Sequence, residues 1–205
     1  MISLLSLADY NTRVVVVGVL ALGTSCGFIG SFMLLRKRAL MADTVSHSTL
    51  PGIALAFLLM VAGGQDGKWL PGLLLGALLS GLAGMGAVIA VQRWTRIKED
   101  AALGIVLSVF FGVGVSLLGL IQKMSRGSAA GLESFIYAKT ASMLAADALL
   151  IAVVGALSLF LCGALFKEFT LLCFDPDFAT SQGLPVLRLD VALMSLVVLL
   201  TVIGL

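Results

Sequence analysis

The feature that most constrains this sequence is a succession of six apolar stretches, each long enough to cross a lipid bilayer. A transmembrane helix needs roughly 20 predominantly apolar residues. The chain of 205 residues is 60% hydrophobic and only 12% charged, which is atypical of soluble globular domains. We therefore predict an all-α, polytopic transmembrane helical bundle that forms one domain over residues 1–205. The predicted spans lie near residues 13–35, 39–62, 70–91, 101–121, 145–166 and 186–205.

The charged residues between the stretches predict how the chain is oriented. Basic residues are more frequent on one side, which includes the Arg36-Lys37-Arg38 cluster. Cytoplasmic loops are richer in Lys and Arg, so this side is predicted to be cytoplasmic and the N-terminus to lie outside. A shorter helix is expected at residues 131–143. The last stretch stops at Leu205 without a flanking charge or aromatic anchor, so we expect a chain truncated at its C-terminus.

Several functional classes are not expected. The net charge is only +2 and no basic tract is interleaved with aromatic residues, so nucleic-acid binding is not predicted. No GxxxxGK[ST] segment occurs, so the chain is not expected to bind a nucleotide through a P-loop. The three cysteines form no CxxC pair and are interpreted as small buried hydrophobic residues.

The segment RALMADTVSHSTLPGIALAF, residues 38–57, places two ionisable groups inside an apolar stretch. Asp43 and His47, the only histidine, are four residues apart, so a helix would place both side chains on one face, about 6 Å apart at Cβ. Pro51 cannot donate a backbone hydrogen bond to the carbonyl of residue 47, which would leave that oxygen beside the pair. Ionisable groups in a membrane usually mark a pathway, so we interpret this as a cation-handling site.

The residues alone leave several alternatives open for this pair. Asp43 and His47 could bind a transported metal, relay protons in a gradient-driven carrier or channel, or form a structural hydrogen bond. Asp43 also follows Arg38 by five residues, so a straight helix would hold it less than about 10 Å from the cytoplasmic end. Either the basic cluster lies deeper in the membrane than predicted, or the segment is broken at Pro51-Gly52 and its irregular backbone faces a cavity.

The segment KEFTLLCFDPDFATSQGLPV, residues 167–186, predicts a short helix between the last two spans. An Asp-Pro pair is a typical helix start, and the glycine that follows suits a C-terminal cap. About two helical turns are too few to cross a membrane. Two exposed phenylalanines favour docking to a cytoplasmic partner, and the alternative is an amphipathic helix on the lipid interface. The residues assigned to docking are Phe174, Asp175, Pro176, Asp177, Phe178 and Gly183.

Small residues in the third span predict close helix packing. They recur at four-residue intervals, which lets a neighbouring backbone approach. The residues are Gly72, Gly76, Ser80 and Gly84. Asp100 and Asp147 each precede an apolar stretch and are interpreted as acids at helix N-termini, with a role in ion exit as the alternative.

Four segments in order resemble the metal-transporting ABC-3 permeases, which are the membrane subunits of zinc, manganese and iron ABC importers. The segments are RALMADTVSHSTLPGIALAF, IKEDAALGIVLSVFFGVG, GLESFIYAKT and FKEFTLLCFDPDFATSQGLPV, and together they extend over nearly the whole chain. The resemblance implies a homodimeric, multi-pass permease in the cell membrane of a prokaryote. It also implies two cytoplasmic ABC ATPase subunits and an extracytoplasmic metal-binding protein as partners. Members of the family usually continue for several more helices.

The resemblance further implies that Asp43 and His47 form the transmembrane metal or gating site and that residues 174–183 form the coupling helix. No permanently bound cofactor is expected, because the divalent ion is the cargo. Zinc normally takes four ligands, and a two-fold dimer with this face on its axis would supply two aspartates and two histidines. Such a set suits Zn²⁺, Mn²⁺ or Fe²⁺ better than Ca²⁺ or Mg²⁺. We expect a non-enzymatic subunit of an ATP-driven importer that works by alternating access.

Overall fold

The computed structural model describes residues 10–64, 69–123 and 145–204. This part of the chain contains eight helices and no strand, which confirms the all-α prediction. The short helix predicted at residues 131–143 lies outside the described residues. The helices are α1 (Tyr10–Leu35), α2 (Met41–Ala62), α3 (Leu70–Trp94), α4 (Glu99–Lys123), α5 (Ala145–Ala164), α6 (Phe166–Phe174), α7 (Pro176–Ser181) and α8 (Val186–Gly204).

Six of these helices, α1 to α5 and α8, are long and apolar enough to cross a membrane. Large apolar side chains are exposed on their outer surfaces, among them Leu59, Leu79 and Phe160. Many exposed apolar side chains on the outer surface are expected where lipid, not water, surrounds the protein. α6 and α7 have nine and six residues, so neither can span a bilayer. The chain is therefore a multi-pass membrane protein built as a helical bundle.

α2 and α3 pack against each other along the small-residue stripe of the third span. A Cβ atom on Gly76 would lie 2.5 Å from the carbonyl oxygen of Gly52, and one on Gly52 would overlap the carbonyl oxygen of Gly76. The Ser80 hydroxyl donates a 2.6 Å hydrogen bond to the carbonyl oxygen of Ser48. The two backbones are thus in direct contact, as small residues in membrane helices permit.

Gly52→Ala is expected to destabilise the protein, because the new methyl group would meet the backbone of α3 and force the two helices apart. Overpacking of this kind typically costs about 1–3 kcal/mol. The measurement is the thermal unfolding midpoint of the purified protein in detergent. Gly104→Ala is the matched control, since nothing lies within 4 Å of the Cβ position at Gly104. An unchanged midpoint for Gly52→Ala would contradict the close packing of α2 on α3.

The corner between α1 and α2 is a tight turn with a residue in the left-handed conformation. Arg38 N–H donates to the carbonyl of Met33 and Lys37 N–H to that of Leu34, both at 2.9 Å. Lys37 has a φ of 58°. This hydrogen-bond pattern is the Schellman motif, which ends a helix and reverses the chain. The turn leaves Lys37 exposed, whereas Arg38 is buried and Arg36 is half-buried.

Candidate functional site

Asp43 and His47 lie in the first two turns of α2. His47 Nε2 is 3.4 Å from Asp43 Oδ1, as the four-residue spacing on one helical face predicts. The side chains are 60% and 36% exposed for Asp43 and His47 respectively, so the pair opens toward the outside of the single chain. α2 continues through Pro51 to Ala62 as one helix, so the alternative of a break at Pro51-Gly52 is wrong. Arg38 of the basic cluster is buried inside the helical bundle instead.

Phe111 of α4 packs against the imidazole of His47. The two ring centroids are 4.9 Å apart with an interplanar angle of 76°, which is the edge-to-face geometry that aromatic rings favour. The phenyl ring therefore supports one side of the imidazole and restricts its rotation. Phe111 could not be predicted from the sequence, because one more apolar residue in an apolar span gives no signal.

The pair alone does not complete a metal site. Among the residues that the structure describes, no group of three or more His, Cys, Asp or Glu side chains converges to hold a metal ion. One chain thus offers one carboxylate and one imidazole, against the four ligands that zinc usually takes. Because Asp43 is exposed and His47 is half-exposed, ligands from a second molecule could reach the same ion.

A cluster of ion pairs that was not predicted from the sequence lies beside the start of α2. Asp190 of α8 accepts hydrogen bonds from Arg38 Nη1 through both carboxylate oxygens at 2.7 Å, and from Arg36 Nη2 at 2.8 Å. Arg38 also forms an ion pair with Glu99 at the start of α4. Arg38 and Asp190 are only 7% and 9% exposed. We call Arg36, Arg38, Glu99 and Asp190 the corner cluster.

One sequence signal could have revealed the corner cluster. Asp190 is a carboxylate within the apolar stretch of the last span, and such a group needs a partner. The other acids noted in the sequence lie at helix starts: Asp100 is in the first turn of α4 and Asp147 in the first turn of α5. Both therefore face the positive end of a helix dipole.

The predicted docking residues lie on α6, on α7 and in the turn that follows. Asp175 caps α7, because its Oδ1 accepts the N–H of Phe178 at 2.9 Å, and Pro176 is the first helical residue. Gly183 has a φ of 77° where the chain turns toward α8. Phe174 and Phe178 are 70% and 49% exposed. We call residues 166–183 the docking segment.

A shallow groove of about 300 Å³ runs along the outer side of α6. Its surface is mainly apolar, and its lining residues are Phe166, Lys167, Thr170, Leu171 and Phe174. Asp177 of α7, three residues after Phe174, is also exposed. The docking segment therefore presents aromatic side chains, the cationic Lys167 and the carboxylates of Asp175 and Asp177 on its surface.

The chain is similar to two membrane proteins of bacterial transport systems. It is 49% identical over 201 residues to the manganese transport system membrane protein MntC of Bacillus subtilis (strain 168), covering 98% of this chain and 45% of that protein. It is 42% identical over 197 residues to the zinc transport system membrane protein TroC of Treponema pallidum (strain Nichols), covering 96% of this chain and 64% of that protein. The chain thus spans about half to two thirds of the length of these relatives.

A solved structure has the same arrangement of helices. PsaBC from Streptococcus pneumoniae, determined in complex with a Fab, matches with a TM-score of 0.74 and 28% sequence identity over 96% of this chain and 65% of that chain. Residues 8–205 match the ABC 3 transport family. The matched range includes every described helix, and it agrees with the six apolar spans. The chain belongs to the ABC 3 transport family.

Proposed function

We propose that the chain is the permease subunit of an ATP-driven ABC importer for a divalent transition metal ion, namely manganese, zinc or iron. The observation that supports this most directly is the exposed Asp43–His47 pair, with its oxygen and nitrogen donors 3.4 Å apart on a membrane-spanning helix. Carboxylate and imidazole together suit Mn²⁺, Fe²⁺ and Zn²⁺. The names of the manganese and zinc transport relatives agree with this choice of cargo.

A homodimer would complete the site. A two-fold axis beside the exposed face of α2 would bring Asp43 and His47 of both copies to one ion, which gives two carboxylates and two imidazoles. The exposure of both side chains in the single chain is what such an arrangement requires. A site of this kind can be weak and still functional, because a transport site must release its ion.

Transport then proceeds by alternating access with three kinds of partner. A metal-binding protein outside the membrane delivers the ion between the two permease copies, where it meets Asp43 and His47. ATPase subunits in the cytoplasm bind the docking segment, and their movement opens the site toward the cytoplasm. The exposed Phe174 and Phe178 support this role. A gradient-driven carrier, which is the alternative, needs no such docking segment.

The test is uptake of Mn²⁺, Zn²⁺ and Fe²⁺ into vesicles that contain the permease, its ATPase and its metal-binding protein. We expect uptake of at least one of these metals only when ATP is supplied. Uptake that ignores ATP and follows a proton gradient would contradict the importer and favour the carrier.

Phe111→Ala is expected to weaken uptake without abolishing it, because His47 would lose the ring that restricts it. An edge-to-face aromatic pair is worth about 0.5–1.5 kcal/mol, which corresponds to roughly a 2–13-fold change. We expect a higher apparent KM for the transported metal and unchanged ATP hydrolysis. Val109→Ala, at an exposed position on the same helix, is the control and should behave like the wild type. An unchanged KM in Phe111→Ala would show that the ring does not position His47.

A further inference from the structure

We infer that the corner cluster positions the start of α2, and with it Asp43 and His47, relative to the docking segment. This inference rests on the proposed function, because it assigns the cluster a part in transmitting the movement of an ATPase. The four residues do not belong to the pair that would contact the metal. They are positioning residues that act through α2.

The first step is the attachment of α6 to the end of α1. The Phe32 ring makes edge-to-face contacts with Phe28, Phe166 and Phe169, with centroids 5.7–5.9 Å apart. Cys173 Sγ lies 3.6 Å from the carbonyl oxygen of Phe32 and donates to it. Burial raises the pKa of the Cys173 thiol, which keeps this donor protonated. The docking segment is therefore packed onto the end of α1.

The second step is a bridge made by Arg36. Its Nη1 donates to the carbonyl oxygen of Leu172 in α6 at 3.0 Å, and its Nη2 donates to Asp190 in α8 at 2.8 Å. Leu172 lies three residues before Asp175, the N-cap of α7. Hydrogen bonds from a guanidinium to a carboxylate are roughly twice as strong as neutral ones. One side chain thus joins the docking segment to the start of the last span.

The third step leads from Asp190 to α2, the helix that carries Asp43 and His47. Arg38 binds both oxygens of Asp190 and pairs with Glu99, and its carbonyl oxygen accepts the N–H of Met41, the first residue of α2. Asp43 follows two residues later. The two arginines and two carboxylates balance in charge. Separating one buried charge from its partners is strongly unfavourable, so these elements are expected to move together.

The consequence is a continuous polar connection from the docking segment to the first turn of α2, which carries Asp43. A displacement of α6 is transferred through Arg36 and Asp190 to Arg38, and from Arg38 to the first turn of α2. A simpler role, in which the cluster only stabilises the bundle, predicts loss of stability and assembly without a specific loss of coupling. The ratio of metal transported to ATP hydrolysed distinguishes these two roles.

The test compares Arg36→Gln with Lys37→Gln in vesicles that contain the complete transporter. Lys37 is the matched control, because it has the same charge in the same turn but is exposed and lies outside the cluster. In Arg36→Gln we expect ATPase binding and ATP hydrolysis to persist. Uptake per ATP of the metal that the wild type transports, whether Mn²⁺, Zn²⁺ or Fe²⁺, should fall about 5–150-fold, the range typical of coupling between sites. Arg36→Lys should recover part of the loss, and Lys37→Gln should match the wild type.

A second measurement does not depend on uptake. Binding of the ATPase is expected to change amide hydrogen exchange at residues 38–47 in the wild type, and this change should disappear in Arg36→Gln. A persistent change, an unaltered ratio of uptake to hydrolysis, or a proportional loss of both activities with a lower unfolding midpoint would each overturn the inference. If the wild type itself neither binds an ATPase nor shows ATP-dependent uptake, the proposed function fails and the inference fails with it.

Discussion

Vesicles with the His47→Ala permease are expected to lose ATP-dependent metal uptake. Alanine removes the only nitrogen donor of the Asp43–His47 pair, so a dimer would retain two carboxylates and no imidazole. Mutation of a residue that only hydrogen-bonds to a metal ligand typically costs about 10–100-fold in metal affinity or activity. Loss of a direct ligand should therefore reduce uptake at least about 100-fold. The measurement is the initial rate of Mn²⁺, Zn²⁺ and Fe²⁺ uptake with ATP present.

Two further variants separate metal binding from a structural role of His47. His47→Gln retains hydrogen-bonding groups beside Asp43, but it lacks the imidazole nitrogen that suits transition metals, so it should fail like alanine. Ser46→Ala removes a polar group from the neighbouring, half-buried position and should leave uptake unchanged. Each variant must still assemble with the ATPase. Normal uptake by His47→Gln would show that the pair is a structural hydrogen bond and would contradict the metal site.

The helices could be predicted because a bilayer imposes a length and a composition on every segment that crosses it. The stripe from Gly72 to Gly84 likewise predicted a close approach of another helix, since small residues leave room for a backbone. The sequence did not reveal that α2 is the partner. That requires Gly52 to oppose Gly76, which is a tertiary register that no local pattern specifies.

In the candidate site, too, local contacts could be predicted from the sequence and contacts between distant residues could not. Asp43 and His47 are four residues apart, so helical geometry alone brings them together. Arg38 and Asp190 are 152 residues apart, and only the packed bundle shows that they bind each other. The Arg36-Lys37-Arg38 cluster marked a membrane border in the sequence, but the turn at Lys37 exposes one of the three charges and buries Arg38.

Replacing both Phe174 and Phe178 with aspartate is expected to abolish binding of the ATPase subunit. Phe174 is largely exposed and Phe178 about half exposed in the single chain, and aromatic hot-spot residues that become buried in an interface contribute about 2 kcal/mol or more each. A combined loss of about 4 kcal/mol corresponds to roughly a 1000-fold weaker Kd. Asp175 and Pro176 remain, so the start of α7 should persist. The measurement is the affinity of the purified ATPase for the permease in lipid nanodiscs.

Trp94→Asp is the control for this double variant. Trp94 is an exposed aromatic residue at the end of α3, close in sequence to Glu99 of the corner cluster, so the change adds a carboxylate at the same end of the bundle. Retained binding in Trp94→Asp together with lost binding in the double variant would locate docking at α6 and α7. Equal affinity of the double variant and the wild type would contradict docking. The exposed phenylalanines would then be explained by contact with the lipid interface, where aromatic side chains are also favoured.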